Sequence, residues 1–161
     1  MNGYCVSCLE PSARGARFCE ACGRELAAGI RLRTRWELVI SSDEAFFQRS
    51  EGATGCPVGF ADRVIRLDDR PVRIGRRTSS PGRTDDHCSQ LSLDDSGVSR
   101  AHALLEPADA GWSVTDLGST NGTYLNGAHE RLLPNAPVRI DDGEFVNVGA
   151  WTRITMHGSR E

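Results

Sequence analysis

Four cysteines near the start of the chain have the spacing of a metal site. Two Cys-x-x-Cys pairs, Cys5 with Cys8 and Cys19 with Cys22, are separated by ten residues. In each pair a tight turn brings two thiolates to one side of the backbone, and four thiolates complete the tetrahedral shell that Zn²⁺ prefers. Because four protein ligands leave no position for water or substrate, the pattern predicts a structural zinc ion.

The segment that holds these cysteines, residues 1–29, resembles the short zinc-ribbon modules of many bacterial proteins. A segment of this length cannot bury a stabilising core, so the metal would supply its folding free energy. A redox-active dithiol pair and a tail with fortuitous cysteines are the alternatives. Cys56 and Cys88 lie far from the cluster, and we expect them to be loop or core thiols.

A second set of residues combines cations with hydroxyl and amide groups. Seven arginines against two aspartates fall between Arg63 and Arg83, in a chain whose net charge is −3. Arginine presents a planar fork of donors, and a phosphothreonine carries about two negative charges and three acceptor oxygens. Ser99, Thr120 and Asn121 lie near glycines in turn-like segments, where side chains and backbone N–H groups can face a ligand.

Short alternating segments predict the strands that must position these residues. Apolar and polar residues alternate in runs at 35–40, 64–67, 72–74, 101–105, 112–115, 138–140, 145–148 and 151–155. Turn formers separate the runs, including Asn-Gly pairs at Asn121 and Asn126. This spacing predicts an antiparallel β-sandwich. Two long loops interrupt it, residues 42–62 and the polar segment 77–90. Within the first loop, residues 44–49 could form one or two helical turns.

Three motifs in the same order resemble the forkhead-associated (FHA) domain. They are Gly75-Arg76 at a strand end, the Ser-x-x-His segment from Ser99 to His102, and Asn121-Gly122. The resemblance implies an all-β, eleven-stranded FHA β-sandwich whose loops at one end bind phosphothreonine peptides. With the cysteine segment in front, the chain resembles actinobacterial FHA proteins that begin with a zinc ribbon.

The same resemblance assigns roles to individual residues. By position, Arg76, Ser99 and Thr120 would contact the phosphate, and Arg100 the phosphate or the peptide main chain. Asn121 would bind the peptide backbone beside the phosphothreonine. The residues that would shape the binding loops are Gly75, His102 and Gly122.

These observations predict an organisation and a function. We expect a zinc ribbon at 1–29, a linker at 30–34 and an FHA domain at 35–157. The expected function is a phosphothreonine-peptide-binding adaptor in Ser/Thr kinase signalling, whose partner is a Thr-phosphorylated protein such as a Ser/Thr protein kinase or its substrate. The alternative is a non-catalytic scaffold that binds unphosphorylated partners through the FHA fold and the ribbon.

Catalysis is not expected. All 19 cationic residues are arginine, so lysine Schiff-base chemistry and Walker-type phosphate binding are excluded. Ser99, His102 and Asp116 suggest a hydrolase triad, but residues three apart on a strand point to opposite faces. Ala101 also stands where a nucleophile elbow needs glycine.

The net charge and the apolar patterning limit the other classes of partner. A net charge of −3 argues against nucleic-acid binding, which depends on excess positive charge. No run approaches the roughly 20 apolar residues of a membrane span. Met1 to Cys8 show no secretory signal, so we expect a cytoplasmic protein with reduced cysteines.

Overall fold

The computed structural model describes residues 3–5, 8, 10–12, 16, 18–24, 34–50, 62–78, 87–108 and 111–160. The chain divides into two compact units, residues 1–33 with 160–161 and residues 34–159. Among the described helices none is long and apolar enough to cross a bilayer.

The described residues of the first unit form a two-stranded hairpin and two tight turns. Strand β1 (Gly3–Tyr4) pairs antiparallel with β2 (Pro11–Ser12). The Cys5 N–H donates to the Glu10 carbonyl across this hairpin. In the second turn the Cys19 N–H donates to the Arg24 carbonyl, and Gly23 takes a φ of +68°, which glycine adopts without steric cost.

The second unit is a sandwich of two five-stranded sheets. Its elements are β3 (Thr34–Ser42), α1 (Glu44–Arg49), β4 (Arg63–Arg66), β5 (Val72–Arg76), β6 (Ser89–Leu93), β7 (Ala103–Ala108), β8 (Gly111–Asp116), β9 (Thr123–Leu125), β10 (Val138–Ile140), β11 (Phe145–Val148) and β12 (Thr152–Arg160). One sheet has the order β10-β8-β7-β5-β6 and the other β4-β3-β12-β11-β9.

The hydrophobic core lies between the sheets. Alternating strand residues point inward, and those that are almost fully buried include Leu38, Ile40, Val146, Ile154 and Met156 from one sheet and Ile74, Leu105, Val114 and Ile140 from the other. Each such side chain contributes roughly 1.5–3 kcal/mol relative to exposure. This packing makes the sandwich a rigid support for the loops at its ends.

The prediction of an all-β sandwich is confirmed, but the predicted number of strands is wrong. The described part of the sandwich has ten strands rather than eleven. Between β9 and β10 one strand-like hydrogen bond forms, from the Leu132 N–H to the Thr123 carbonyl. Pro134 then offers no N–H, and the chain turns at Asn135, where φ is +60°, so pairing does not continue.

Strand β6 was not predicted, and its first two residues were assigned to the long polar loop 77–90. Instead it runs from Ser89 to Leu93 and pairs parallel with β5. Parallel neighbours need a crossover connection of about a dozen residues or more, which explains the length of the segment between them. Only Leu91 and Leu93 of this strand are buried apolar residues, so its alternation is too short to be a strong sequence signal.

Helix α1 begins at a side-chain cap. The Asp43 carboxylate accepts a hydrogen bond of 2.9 Å from the Phe46 N–H, as an N-cap residue does. Its other oxygen accepts from Asn147 Nδ2 at 2.9 Å and from Arg153 at 2.6 Å. The cap therefore also fastens the helix to strands β11 and β12.

Candidate functional site

Three chain segments meet at one end of the sandwich. They are the end of β5 at Gly75-Arg76, the loop 94–102 and the loop 117–122, and we call them the loop cluster. The Arg76 N–H donates to the Ser99 carbonyl, and the Leu117 N–H donates to the His102 carbonyl, both at 2.9 Å. These backbone bonds bring the three predicted motifs together.

Ser99 and Thr120 form a pair of hydroxyls in the loop cluster. The Thr120 N–H donates to Ser99 Oγ at 3.1 Å, and Ser99 Oγ donates to Thr120 Oγ1 at 3.4 Å. Thr120 is exposed and Ser99 is half-buried. Hydroxyl protons can rotate, so both groups can turn their donors towards an anion.

Arg76 and Arg100 supply the positive charge of the loop cluster. The Arg76 guanidinium donates to the Ser96 carbonyl at 3.3 Å, and both arginines are exposed. Neither has a carboxylate partner within the described ranges. The neighbouring Arg77, by contrast, forms an ion pair of 2.9 Å with Asp94. The charge available to an anionic ligand therefore resides on Arg76 and Arg100.

Asn121 connects two loops of the cluster. Its side-chain amide donates to the Gly97 carbonyl at 2.9 Å, while the residue itself is exposed. Within the described part of the chain its carbonyl oxygen, Oδ1, has no hydrogen-bond partner. That oxygen can accept from the backbone N–H of an extended peptide.

His102 joins the loops through both ring nitrogens. The Ser99 N–H donates to Nδ1 at 3.0 Å, so the other nitrogen, Nε2, carries the proton and donates to the Gly122 carbonyl at 3.1 Å. Burial lowers the pKa of His102, and this outweighs the opposing effects of the Gly122 carbonyl, Asp116 and Asp95. The ring is therefore neutral at physiological pH.

This arrangement does not form a hydrolase triad. With both nitrogens engaged, His102 has no lone pair left to accept the proton of the Ser99 hydroxyl. The Asp116 carboxylate accepts from Ser119 Oγ and Thr123 Oγ1, each at 2.6 Å. Nothing in this geometry activates the Ser99 hydroxyl as a nucleophile.

Two glycines permit the close approach of the loops. A Cβ at Gly75 would collide with the Arg100 carbonyl oxygen, so the β5 end can pass the Ser-x-x-His loop only without a side chain. Gly122 takes a φ of +83°, and a Cβ there would lie 3.0 Å from the Arg131 side chain. Gly75 is therefore required for close packing, and Gly122 for its positive φ as well as for packing.

Sequence reasoning missed the role of two aspartates that organise the loops, Asp95 and Asp116. Asp95 is fully buried and accepts from the Gly97 N–H at 2.8 Å, from the Ala150 and Trp151 N–H groups at 3.0 Å and from Thr152 Oγ1 at 2.8 Å. It ties the turn before Ser99 to the β11–β12 connection. The only local signal was Asp95-Ser96-Gly97, which identifies a turn but not its remote partners.

Asp116 has the same function in the next loop. Besides the two hydroxyls, its carboxylate accepts the N–H groups of Gly118 at 2.8 Å and Ser119 at 2.9 Å. Burial raises the pKa of Asp116, but the hydrogen bonds from Ser119, Thr123 and Gly118 outweigh that effect and hold it below its ordinary value. The ionised carboxylate thus fixes the turn that presents Thr120.

The four cysteines of the first unit form a compact cluster. The Sγ atoms of Cys5, Cys8, Cys19 and Cys22 all lie within 4.8 Å of one another. Those of Cys5 and Cys22 are 3.7 Å apart, and those of Cys8 and Cys19 are 3.5 Å apart. Zn–S bonds of about 2.3 Å in a tetrahedron place sulfurs roughly 3.8 Å apart, so the donor set fits a metal ion.

The cysteines are free thiols rather than disulfides. A backbone hydrogen bond at Glu10 lowers the pKa of the Cys8 thiol, but burial and the neighbouring sulfurs raise it, and the balance is a pKa of about 12. Cys88 is half-buried, is also a free thiol, and its Sγ lies 3.5 Å from the Ser89 carbonyl. Cys56 lies outside the described residues.

Known proteins resemble this chain in both sequence and fold. The profile of the FHA domain matches residues 72–149. The oxoglutarate dehydrogenase inhibitor of Corynebacterium jeikeium is 32% identical over 113 residues, which cover 68% of this chain and 74% of that protein. The FHA domain-containing protein FhaB of Mycolicibacterium smegmatis is 45% identical over 85 residues, 53% of this chain and 46% of FhaB.

Other relatives are longer, and solved structures agree in fold. An FHA domain-containing protein of Arabidopsis thaliana is 31% identical over 94 residues, which are 56% of this chain but 22% of that protein. The solution structure of the FHA domain of an Arabidopsis thaliana hypothetical protein superimposes with a TM-score of 0.57 at 23% identity, covering 81% of this chain and 90% of that one. These sequence matches show that the chain belongs to the family of FHA-domain proteins.

Proposed function

We propose that the chain binds phosphothreonine peptides through Arg76, Ser99, Arg100, Thr120 and Asn121, and acts as an adaptor in Ser/Thr kinase signalling. The observation that carries the proposal is the charge pattern of the loop cluster. Arg76 and Arg100 have no carboxylate partner in the described structure, and they belong to the same loop cluster as the hydroxyls of Ser99 and Thr120, which lie 3.4 Å apart.

This arrangement matches the chemistry of a phosphate group. A phosphothreonine supplies about two negative charges and three acceptor oxygens. The two guanidinium groups supply charge-assisted donors, and the hydroxyls of Ser99 and Thr120 supply further donors. The Asn121 carbonyl can then accept from the backbone of the bound peptide.

The partner that fits this site is a Thr-phosphorylated protein, such as a Ser/Thr protein kinase or its substrate. Hydrogen bonds to the side chains of His102, Asp95 and Asp116 hold the loops in place, so the loops need little further ordering when a peptide binds. A preorganised site loses less conformational entropy when it binds a ligand.

In the same proposal the first unit is a structural zinc ribbon. Residues 1–29 would form the ribbon, 30–34 a linker and 35–157 the FHA domain. Cys5, Cys8, Cys19 and Cys22 would hold Zn²⁺ as four thiolates, and the ion would provide the folding free energy of a segment too small for its own core.

Fluorescence polarisation with matched peptides tests the function. Peptides from an oriented library would be compared in three forms, with phosphothreonine, with threonine and with glutamate at the central position. We expect binding of the phosphothreonine form alone. Equal affinity for the phosphorylated and unphosphorylated forms would instead favour a scaffold that binds unphosphorylated partners.

A further inference from the structure

A cleft opens beside the loop cluster, between it and helix α1. Its volume is about 740 Å³, and Thr120 and Asn121 line one side while Phe46 and Arg49 line the other. We call it the α1 cleft. Because it is continuous with two of the residues assigned to the peptide, a peptide bound at the loop cluster can extend into it.

The wall formed by α1 is held in a fixed position. Asp43 is 7% exposed, caps the helix and binds Asn147 and Arg153 on the sandwich. Phe46 is buried and packs against Tyr124 with ring centroids 5.4 Å apart. The two rings give the α1 cleft an apolar base that does not depend on a bound ligand.

The rim of the α1 cleft is positively charged. Arg49, Arg131 and His129 line it, and no aspartate or glutamate is among its described lining residues. Arg49 spans from the helix to the Gly127 carbonyl, 3.1 Å away, and so remains at the rim. Arg131 is exposed and has no carboxylate partner within the described ranges.

Arg131 is also fixed relative to the loop cluster. Its Cβ and Cδ atoms pack so closely on Gly122 that a Cβ added there would lie 3.0 Å from each. The Arg131 side chain therefore packs against Gly122, the residue that follows Asn121. A peptide that hydrogen-bonds Asn121 passes within a few residues of this charge, since an extended chain advances about 3.3 Å per residue.

From these observations we infer that the α1 cleft selects phosphopeptides with an aspartate or glutamate close to the phosphothreonine, which it binds through Arg49 and Arg131. The inference rests on the proposed function and specifies its ligand. The occupant is the flanking segment of the same phosphopeptide, because the cleft is complementary to it in charge and continuous with the phosphate-binding loops.

An oriented peptide library with central phosphothreonine and randomised flanks is the first test, performed on the full chain. We expect enrichment of Asp and Glu at one or two flanking positions. A synthetic peptide with the enriched acid should bind about fivefold more tightly than its alanine counterpart, the scale of an exposed ion pair. The preference should weaken as salt concentration rises.

Charge-neutral variants then assign the preference to the cleft. The double substitution Arg49→Gln with Arg131→Gln keeps most of each side-chain stem, and it should abolish the preference for the acidic peptide. Arg66→Gln is the matched control, because Arg66 is 84% exposed and pairs with Glu37 away from the cleft lining. It should leave the preference intact.

A charge swap gives a second readout that loss of folding cannot mimic. Arg131→Glu should bind a peptide with arginine at the enriched position more tightly than the acidic peptide. An unselective library with clear phosphothreonine dependence, or an acidic preference that survives the double substitution, would overturn the inference while leaving the proposed function in place. Absence of any phosphothreonine dependence would overturn the proposed function itself.

Discussion

Adjacent arginines in this chain have different electrostatic surroundings. Among the described groups the Arg76 guanidinium hydrogen-bonds only a backbone carbonyl, whereas the Arg77 guanidinium is paired with Asp94. Arg76→Ala should therefore lower phosphopeptide affinity by about one to two decades, since a hydrogen bond to a charged group contributes roughly 1.5–3 kcal/mol. Fluorescence polarisation measures the change.

Arg77→Ala is the matched control for that substitution. It removes the same charge one residue away, but that charge is already balanced by Asp94 in an ion pair of 2.9 Å. We expect it to change affinity by less than about threefold. Similar losses for the two variants would show that the site senses general charge rather than a specific contact.

His102 contributes to stability through its two ring hydrogen bonds. His102→Ala leaves the Ser99 N–H and the Gly122 carbonyl without partners and opens a buried space. We expect a loss of about 2–4 kcal/mol in the free energy of unfolding, together with weaker phosphopeptide binding. Urea denaturation monitored by tryptophan fluorescence gives the first value, and an unchanged midpoint would contradict the bracing role.

The lowered pKa of His102 also predicts a pH dependence. Below about pH 6.5 an unfolded histidine binds a proton that the buried native ring does not. The contribution of His102 to the free energy of unfolding is therefore fully present above that pH, and it is lost as the pH falls towards the native pKa. In His102→Gln this part of the pH dependence should disappear. His129→Gln, at an exposed position, should retain the dependence seen in the unsubstituted protein.

At the scale of elements, one carboxylate connects α1 to the sandwich. Burial raises the pKa of Asp43, but the hydrogen bonds from Phe46, Asn147 and Arg153 lower it by more than that. The pKa is therefore below its ordinary value, and the native carboxylate stays ionised. Its contribution to stability is present above the ordinary pKa of an aspartate and is lost as the pH falls through the lowered value. The helix and the cleft beside it depend on this group.

Asp43→Ala tests that dependence. Loss of the cap and of the partner of Arg153 should cost about 2–4 kcal/mol in the free energy of unfolding. Glu44→Ala, one residue on and exposed, should cost no more than about 0.5 kcal/mol. Thermal denaturation of the two variants checks the difference, and equal melting temperatures would contradict the anchoring role of Asp43.

Elements with long, regular alternation were the predictable ones. In β3, buried Leu38 and Ile40 alternate with less buried residues, and in β8 Trp112 and Val114 do the same. Strand β6 has just two buried leucines and depends on its parallel pairing with β5, which no local pattern encodes. One or two helical turns were expected at 44–49, where α1 forms, but the position of this helix beside the loop cluster was not.

At the scale of the whole molecule, the two compact units are predicted to function separately. Protein purified under reducing conditions should contain about one zinc ion per chain by elemental analysis. Chelation should remove the ion without changing phosphopeptide affinity, because every residue of the proposed phosphate site belongs to the unit 34–159. A large change in affinity on chelation would show that the units cooperate.

Cys8→Ser gives the same test without a chelator. It removes one of four sulfurs that lie within 4.8 Å of one another and should abolish retention of zinc. Cys88→Ser, a free thiol in the other unit, should leave the zinc content unchanged. Equal zinc contents in the two variants would contradict the assignment of the ion to the cysteine cluster.

The sequence by itself determined the all-β class and the family resemblance, and it identified the residues of the cysteine cluster. Each depends on short-range information. Alternation specifies a strand within a few residues, and the Cys-x-x-Cys pairs specify a turn within four. The Gly-Arg, Ser-x-x-His and Asn-Gly motifs are likewise each contained in a short segment.

The tertiary structure decided which groups those motifs leave available. Arg77 is neutralised by Asp94, and Asp95 accepts a hydrogen bond from Thr152, more than fifty residues away along the chain. The α1 cleft exists because a helix from the first long loop packs beside loops that come much later in the sequence. Such pairings depend on distances between strands of two sheets, and no local residue pattern encodes those distances.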